Sequence, residues 1–81
     1  MEEIIKAKTD KQYDEMWRYI MEYTKGNLKR ENGQIHFYSN TETIIPKTKT
    51  KEVIISGENK ENIHEIKKYL EYIVQTKNRN Y

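Results

Sequence analysis

The sequence has no cysteine, one proline and three glycines among its 81 residues. It contains only two histidines, two serines and two aspartates. Without cysteine the chain can form neither a disulfide nor a thiolate ligand, and a zinc site needs three or four converging ligands. No spacing of the remaining residues predicts a nucleophile, a metal site or a phosphate-binding loop. We therefore expect a non-enzymatic protein with no catalytic residues, cofactor or metal.

Long hydrophobic runs are also missing, since no apolar stretch exceeds three residues. This pattern predicts neither a signal peptide nor a membrane span. Together with the absence of cysteine, it leads us to expect a soluble, cytoplasmic protein that does not engage a membrane.

The length fits one small domain, residues 1–81, with a polar tail over 78–81 that we expect to fray. Charged residues make up 35% of the chain and apolar residues another 35%, with a net charge of +2. A core this small gives limited stability in the absence of disulfides, so association into a homodimer is one option.

Two segments show the three- and four-residue spacing of apolar side chains that is typical of amphipathic helices. Thr9 and Gln12 form a capping-box pattern at the start of the first, and Gly26 is suited to end it. Asn59 is the expected N-cap of the second helix, which should run to about Lys77.

Short segments rich in isoleucine and aromatic residues, separated by turn residues, predict strands. They are residues 2–8, 28–31, 34–39, 42–45 and 51–56. The pair Asn32-Gly33 predicts a type I′ hairpin, because both central residues of that turn need a positive φ. Pro46 lacks an N–H, so it should stop its strand or place it at an edge of the sheet. The last strand is the most apolar, and we expect it to be central.

The order (β)-α-β-β-β-α predicts an α+β fold, with an antiparallel meander of three to four strands and two helices packed on one face. The other face of the sheet is left to water or to a partner. We expect His36 and Tyr38 on this open face, with those of Thr43, Lys49, Lys51 and Ile54 that point the same way.

Lys47, Lys49 and Lys51 alternate with threonines. In an extended chain their ammonium groups would lie on one side, roughly 6.6 to 6.8 Å apart, close to the spacing of phosphates along a nucleic-acid strand. The same nucleic-acid-binding or acidic-partner surface would extend to Arg30, Lys29 and Tyr38, and Lys6 and Lys8 could widen it further. The alternative is that lysines on an edge strand prevent sheet-to-sheet association.

Tyrosines are frequent in and beside the two predicted helices. Tyr69, Tyr72 and Tyr19, together with Tyr23 and Tyr81, would give the aromatic surface that is enriched at protein interfaces. His36 in the sheet is a further candidate interface residue. The alternative is that these tyrosines pack their rings at the core and leave their hydroxyls in water.

We hypothesise a small binding protein that docks stoichiometrically on a host protein or protein–nucleic-acid complex. Eleven isoleucines and twelve lysines against two leucines and one alanine favour an AT-rich genome. Phages and mobile elements with such genomes encode many inhibitors and regulators of this size, including anti-defence proteins, which is an analogy of class. The alternative is a nucleic-acid-binding module that uses the lysines and surface tyrosines.

Overall fold

The computed structural model describes residues 1–79, with side chains from 1 to 75. Its elements are β1 (Glu2–Lys6), α1 (Asp10–Thr24), β2 (Leu28–Glu31), β3 (Gln34–Tyr38), β4 (Glu42–Lys47), β5 (Glu52–Gly57) and α2 (Lys60–Arg79). The predicted α+β fold is confirmed. Helix α2 extends past the expected end at Lys77, and the rest of the predicted frayed tail, Asn80 and Tyr81, lies outside the described residues.

The strands form one antiparallel sheet in the order β1-β5-β4-β3-β2. It has five strands instead of three to four, because the first segment pairs with β5 and both arms of the predicted hairpin enter the sheet. Asn32 and Gly33 have φ values of 53° and 78°, which confirms the expected hairpin turn. The edges of the sheet are β1 and β2.

Alternate residues of the sheet are buried beneath the helices. Phe37, Ile44 and Val53 are inaccessible to solvent, and apolar residues of α1 and α2 complete the same core. The predicted capping box of α1 is present, with the side chain of Thr9 accepting from the backbone of Gln12 at 3.1 Å. The N-cap of α2 is Asn59, as expected, and it accepts from the backbone of Asn62 at 3.0 Å.

The expectation for Pro46 is wrong. Strand β4 continues through Pro46 to Lys47 and is the middle strand of the sheet, while β5 lies beside it between β4 and β1. Pro46 is opposite Val53 of β5, whereas β3 pairs with β4 only through two residues, Phe37 and Tyr38. Its missing N–H therefore shortens the ladder with β3 instead of ending the strand.

The second face of the sheet is not covered by the described helices. The expected members His36, Tyr38, Thr43 and Ile54 all lie there by strand alternation. Ile4 and Ile45 flank Ile54 on the neighbouring strands and complete an apolar row. Lys49 and Lys51 are not on this face, because both belong to the turn between β4 and β5.

Candidate functional site

Four tyrosines form a continuous aromatic surface across α1 and α2. Tyr19 stacks on Tyr69 with ring centroids 4.3 Å apart and planes inclined by 11°. Tyr23 lies 5.9 Å from Tyr19 on one side, and Tyr72 lies 6.3 Å from Tyr69 on the other. We call this group of four residues the tyrosine ladder. Its α2 end is exposed, since Tyr69 and Tyr72 retain 50% and 62% of their accessible surface.

The α1 end of the tyrosine ladder is more enclosed. Burial raises the pKa of Tyr19 to about 12, with smaller contributions from Tyr23, Tyr69 and Glu65. Burial and the neighbouring carboxylate of Glu42 also raise the pKa of Tyr23. Both phenols are therefore neutral at physiological pH, and the α1 end of the tyrosine ladder carries no negative charge of its own.

Tyr23, at the α1 end of the tyrosine ladder, is hydrogen-bonded to a buried carboxylate. Glu42 is only 3% exposed and accepts hydrogen bonds from Ser39 Oγ at 2.6 Å, Asn62 Nδ2 at 3.2 Å and Tyr23 Oη at 3.3 Å, and from the hydroxyl of Thr41. Burial alone would raise the pKa of Glu42, but these donors outweigh it and hold the pKa below its usual value. Glu42 thus fixes Tyr23 of α1 relative to the sheet and α2.

The predicted extended row of lysines is wrong. Lys47 ends β4, a turn follows over residues 48–51, and Lys51 has a left-handed φ of 60°. The ammonium group of Lys51 lies 3.8 Å from a carboxylate oxygen of Asp10. A tight turn was not evident in the sequence, because neither glycine nor asparagine marks it. The three lysines therefore do not share one side of an extended strand.

Two of these lysines instead border a cleft on the helix side of the sheet. The cleft has a volume of about 570 Å³ and lies between Trp17 of α1, the β2–β3 hairpin and the β4–β5 turn. Arg30, Lys47 and Lys49 contribute its charges, and none of its ten lining residues is acidic. We call it the cationic cleft. Trp17 forms its aromatic wall beside Ile35.

Pro46 explains why the cationic cleft exists. Ser39 donates its N–H to the Glu42 carbonyl at 3.0 Å, which fixes the alternation of hydrogen-bonding positions between β3 and β4. By this alternation, Ile35 and Pro46 would be the next hydrogen-bonded pair after Phe37 and Ile44. Pro46 cannot donate, the ladder ends, and both residues line the cleft.

The remaining candidates lie on the open face. Tyr38 donates its hydroxyl to a carboxylate oxygen of Glu31 at 2.6 Å, which raises the pKa of Tyr38. The Nδ1 atom of His36 lies 3.8 Å from the other oxygen of Glu31, and Lys29 is the cross-strand neighbour of His36. The structure therefore separates Lys29 and Tyr38 from the cationic cleft, and His36 from the tyrosine ladder.

Among the described residues, no cluster of three or more histidine, aspartate or glutamate side chains could hold a metal ion. Neither α1 nor the described part of α2 is long and apolar enough to cross a membrane. No protein-family model matches the chain, and searches of curated proteins and of solved structures also find no match.

Proposed function

We propose that this chain is a non-enzymatic binding protein that docks on a partner protein through the tyrosine ladder. The observation that carries the proposal is the stack of Tyr19 on Tyr69, which continues into the exposed ring of Tyr72. Exposed tyrosines supply large contact areas at a small cost in conformational entropy, and they are enriched among residues that dominate binding energy.

The ladder is also preorganised for binding. Tyr19 holds the ring of Tyr69 from one side, and Tyr23 is fixed through its hydrogen bond to Glu42. Side chains that are ordered before association lose less entropy when the partner binds. The interpretation that these tyrosines only pack at the core accounts for Tyr19 but not for the exposure of Tyr72.

The proposed partner is a host macromolecule whose surface the protein occupies stoichiometrically. The proposal includes the class of protein expected from the sequence, an inhibitor or regulator of the phage or mobile-element type. The amino-acid composition supports this part of the proposal. Glu65 and Lys68 both border the rings of Tyr19, Tyr69 and Tyr72, so this surface has no excess of positive charge. A host protein is therefore favoured over nucleic acid at the tyrosine ladder, since nucleic-acid binding depends on cations that neutralise phosphates.

The test compares Tyr72→Ala with Tyr38→Ala in quantitative capture from a host lysate. Both changes remove one tyrosine ring, but Tyr38 lies on the opposite face of the sheet. We expect Tyr72→Ala to weaken retention of the captured partner roughly 30-fold, as for a residue worth about 2 kcal/mol, and Tyr38→Ala to leave it unchanged. Circular dichroism of both variants checks that the fold is retained. Equal retention by the two variants would exclude the tyrosine ladder as the docking surface.

The cationic cleft favours a second candidate function, the binding of single-stranded nucleic acid. Arg30, Lys47 and Lys49 border the cleft without an acidic neighbour in its lining, and Trp17 supplies an aromatic wall. Cations that follow the backbone and aromatic side chains that contact bases are the usual combination in such sites. These three cations are among the residues that the sequence predicted for a nucleic-acid-binding or acidic-partner surface.

Fluorescence can test this candidate directly, because Trp17 is the single tryptophan. Titration with oligo(dT) or oligo(U) should change the emission of Trp17, and the affinity should fall as the salt concentration rises. The double variant Lys47→Glu/Lys49→Glu should abolish the change, whereas Lys51→Glu should retain it, since Lys51 lies outside the cleft beside Asp10. A loss of binding in the Lys51 variant alone would contradict the assignment to the cleft.

A further inference from the structure

Strand β1 is an edge of the sheet whose outward hydrogen-bonding groups can be identified. Ala7 donates its N–H to the Lys51 carbonyl at 2.8 Å, and Met1 and Gly57 exchange backbone hydrogen bonds at 2.9 and 3.1 Å. Odd-numbered residues of this segment therefore bond to β5. By the antiparallel alternation, the N–H and C=O groups of residues 2, 4 and 6 point away from the sheet.

The side chains of these same three residues share the open face. Glu2, Ile4 and Lys6 are all exposed, and Ile4 retains 54% of its accessible surface, although it belongs to the apolar row with Ile54 and Ile45. The apolar row thus ends at the β1 edge of the sheet, where another strand can be added.

The sequence of β1 is complementary to itself in an antiparallel arrangement. If a second copy pairs about Ile4, Ile4 is opposite Ile4 of that copy, and Glu2 is opposite Lys6 in both directions. In this register, every outward backbone group of residues 2, 4 and 6 meets an outward group of the second copy. Hydrogen bonding, charge and the side-chain face therefore all select the same register.

The other edge of the sheet lacks this property. Strand β2 carries Lys29 and Arg30 at its centre, so antiparallel pairing with a second β2 places like charges opposite each other in the registers about either residue. Lysine and arginine in such positions oppose edge-to-edge association. Pairing about Arg30 would place Lys29 opposite Glu31, but it opposes two guanidinium groups at the centre, where β1 places a pair of isoleucines, so β1 is the more self-complementary edge.

We propose that two copies of this chain associate through β1 to form a ten-stranded sheet with twofold symmetry. The association joins the two apolar rows into one of six isoleucines and forms two Glu2–Lys6 ion pairs. On the helix side of the same edge, Glu3 is already neutralised by Lys67 at 3.0 Å, so no unpaired charge from Glu3 opposes the contact. The interface is isologous and closes after two copies.

A five-residue edge is small beside the roughly 800 Å² per partner of a standard interface, so we expect a dimer with a dissociation constant on the order of 10 μM. Sedimentation equilibrium of the full chain over about 1 μM to 1 mM measures it. Glu2→Lys and Lys6→Glu each replace two attractive pairs by two repulsive ones. Each variant alone should weaken the dimer roughly 30-fold.

Mixing Glu2→Lys with Lys6→Glu is the most discriminating part of the experiment. In the mixed dimer, the residues changed in the two variants lie opposite each other and again have opposite charges. Equimolar mixing should restore a dimer of wild-type affinity that contains one chain of each variant, and the double exchange Glu2→Lys/Lys6→Glu should also dimerise. Lys29→Glu on the β2 edge is the control and should leave the wild-type dimer unchanged.

A wild-type chain that is monomeric at about 1 mM would overturn the proposal. So would single variants that dimerise as strongly as wild type, or a mixture of the two that stays monomeric. A dimer lost in Lys29→Glu would place the interface at β2 and would overturn it as well. Circular dichroism of each variant confirms that the monomer is folded, and dimerisation is measured independently of any partner of the tyrosine ladder.

Discussion

Removal of the Glu42 carboxylate should destabilise the fold more than removal of any other charged side chain among the described residues. Glu42 is buried and accepts hydrogen bonds from four side chains, one on α1, one on α2 and two in the turn before β4. A hydrogen bond to a charged group contributes about 1.5 to 3 kcal/mol net, but the hydroxyl donors can rotate to other partners. We expect Glu42→Ala to lower the free energy of unfolding by about 3 kcal/mol.

Glu42→Gln separates the charge from the packing, because it retains the volume of the side chain. One acceptor oxygen becomes an NH₂ group, which then faces donors such as Asn62 Nδ2 or the hydroxyl of Ser39. The Ser39 hydroxyl can accept a hydrogen bond from this NH₂ group without moving. The amide of Asn62 must flip so that its oxygen, instead of its nitrogen, faces the NH₂ group. We expect a loss of about 1 to 2 kcal/mol at pH 7.

The pH dependence follows from the pKa of Glu42, which the fold holds below its usual value. The stabilisation is complete above the unfolded-state pKa of about 4.3, and it is lost as the pH falls through the lower folded-state value. Urea unfolding of wild type and Glu42→Gln from pH 7 to pH 3 should therefore show a difference that shrinks in acid. Glu58→Gln, at an exposed position, is the control. Equal stabilities at pH 7, or a difference independent of pH, would refute the reasoning.

Three further changes test other parts of the fold. Gly57→Ala should cost about 2 to 3 kcal/mol in urea unfolding, because its Cβ would lie 2.5 Å from the Thr41 carbonyl oxygen at a φ of 156°; stability equal to wild type would contradict this close approach. Gln12→Ala should cost about 2 kcal/mol, since this buried side chain completes the capping box of α1 and donates to the Val74 carbonyl at 2.8 Å; a loss below about 0.5 kcal/mol would show that the link to α2 is dispensable. Because the folded-state pKa of Tyr19 is raised to about 12, its stabilising contribution is complete below the unfolded-state pKa and is lost as the pH rises through the folded-state value. Alkaline unfolding should become less pH-dependent in Tyr19→Phe, and an unchanged profile would contradict the assignment.

Local signals in the sequence predicted most of the elements correctly. The capping box at Thr9 and Gln12 and the Asn32-Gly33 turn depend on residues close in sequence, so their geometry was accessible without tertiary information. The continuation of β4 through Pro46 could not be predicted in this way, because the cost of the missing N–H depends on which neighbouring strand Pro46 faces. That information is present only in the register of β3, β4 and β5.

The candidate sites depend still more on tertiary placement. Stacking of Tyr19 on Tyr69 requires α1 and α2 to pack side by side, and no spacing within either helix indicates it. The lysine row failed because the chain turns between Lys47 and Lys51 without glycine or asparagine to mark the turn. The charge complementarity of β1 was readable in its five residues, but it became meaningful only once β1 was placed at an edge.

The three proposed surfaces differ in charge, and ionic strength therefore separates them. Glu65 and Lys68, which have opposite charges, lie beside the tyrosine ladder, so docking through it should change little with salt. The cationic cleft has three cations and no acid in its lining, and binding of a single strand through all three should give a slope of about −2 in the logarithm of affinity against the logarithm of salt concentration. The β1 edge combines an isoleucine pair with two ion pairs, so raising the salt concentration should weaken dimerisation only modestly. A single salt series on each activity consequently tests whether the surface assigned to it is correct.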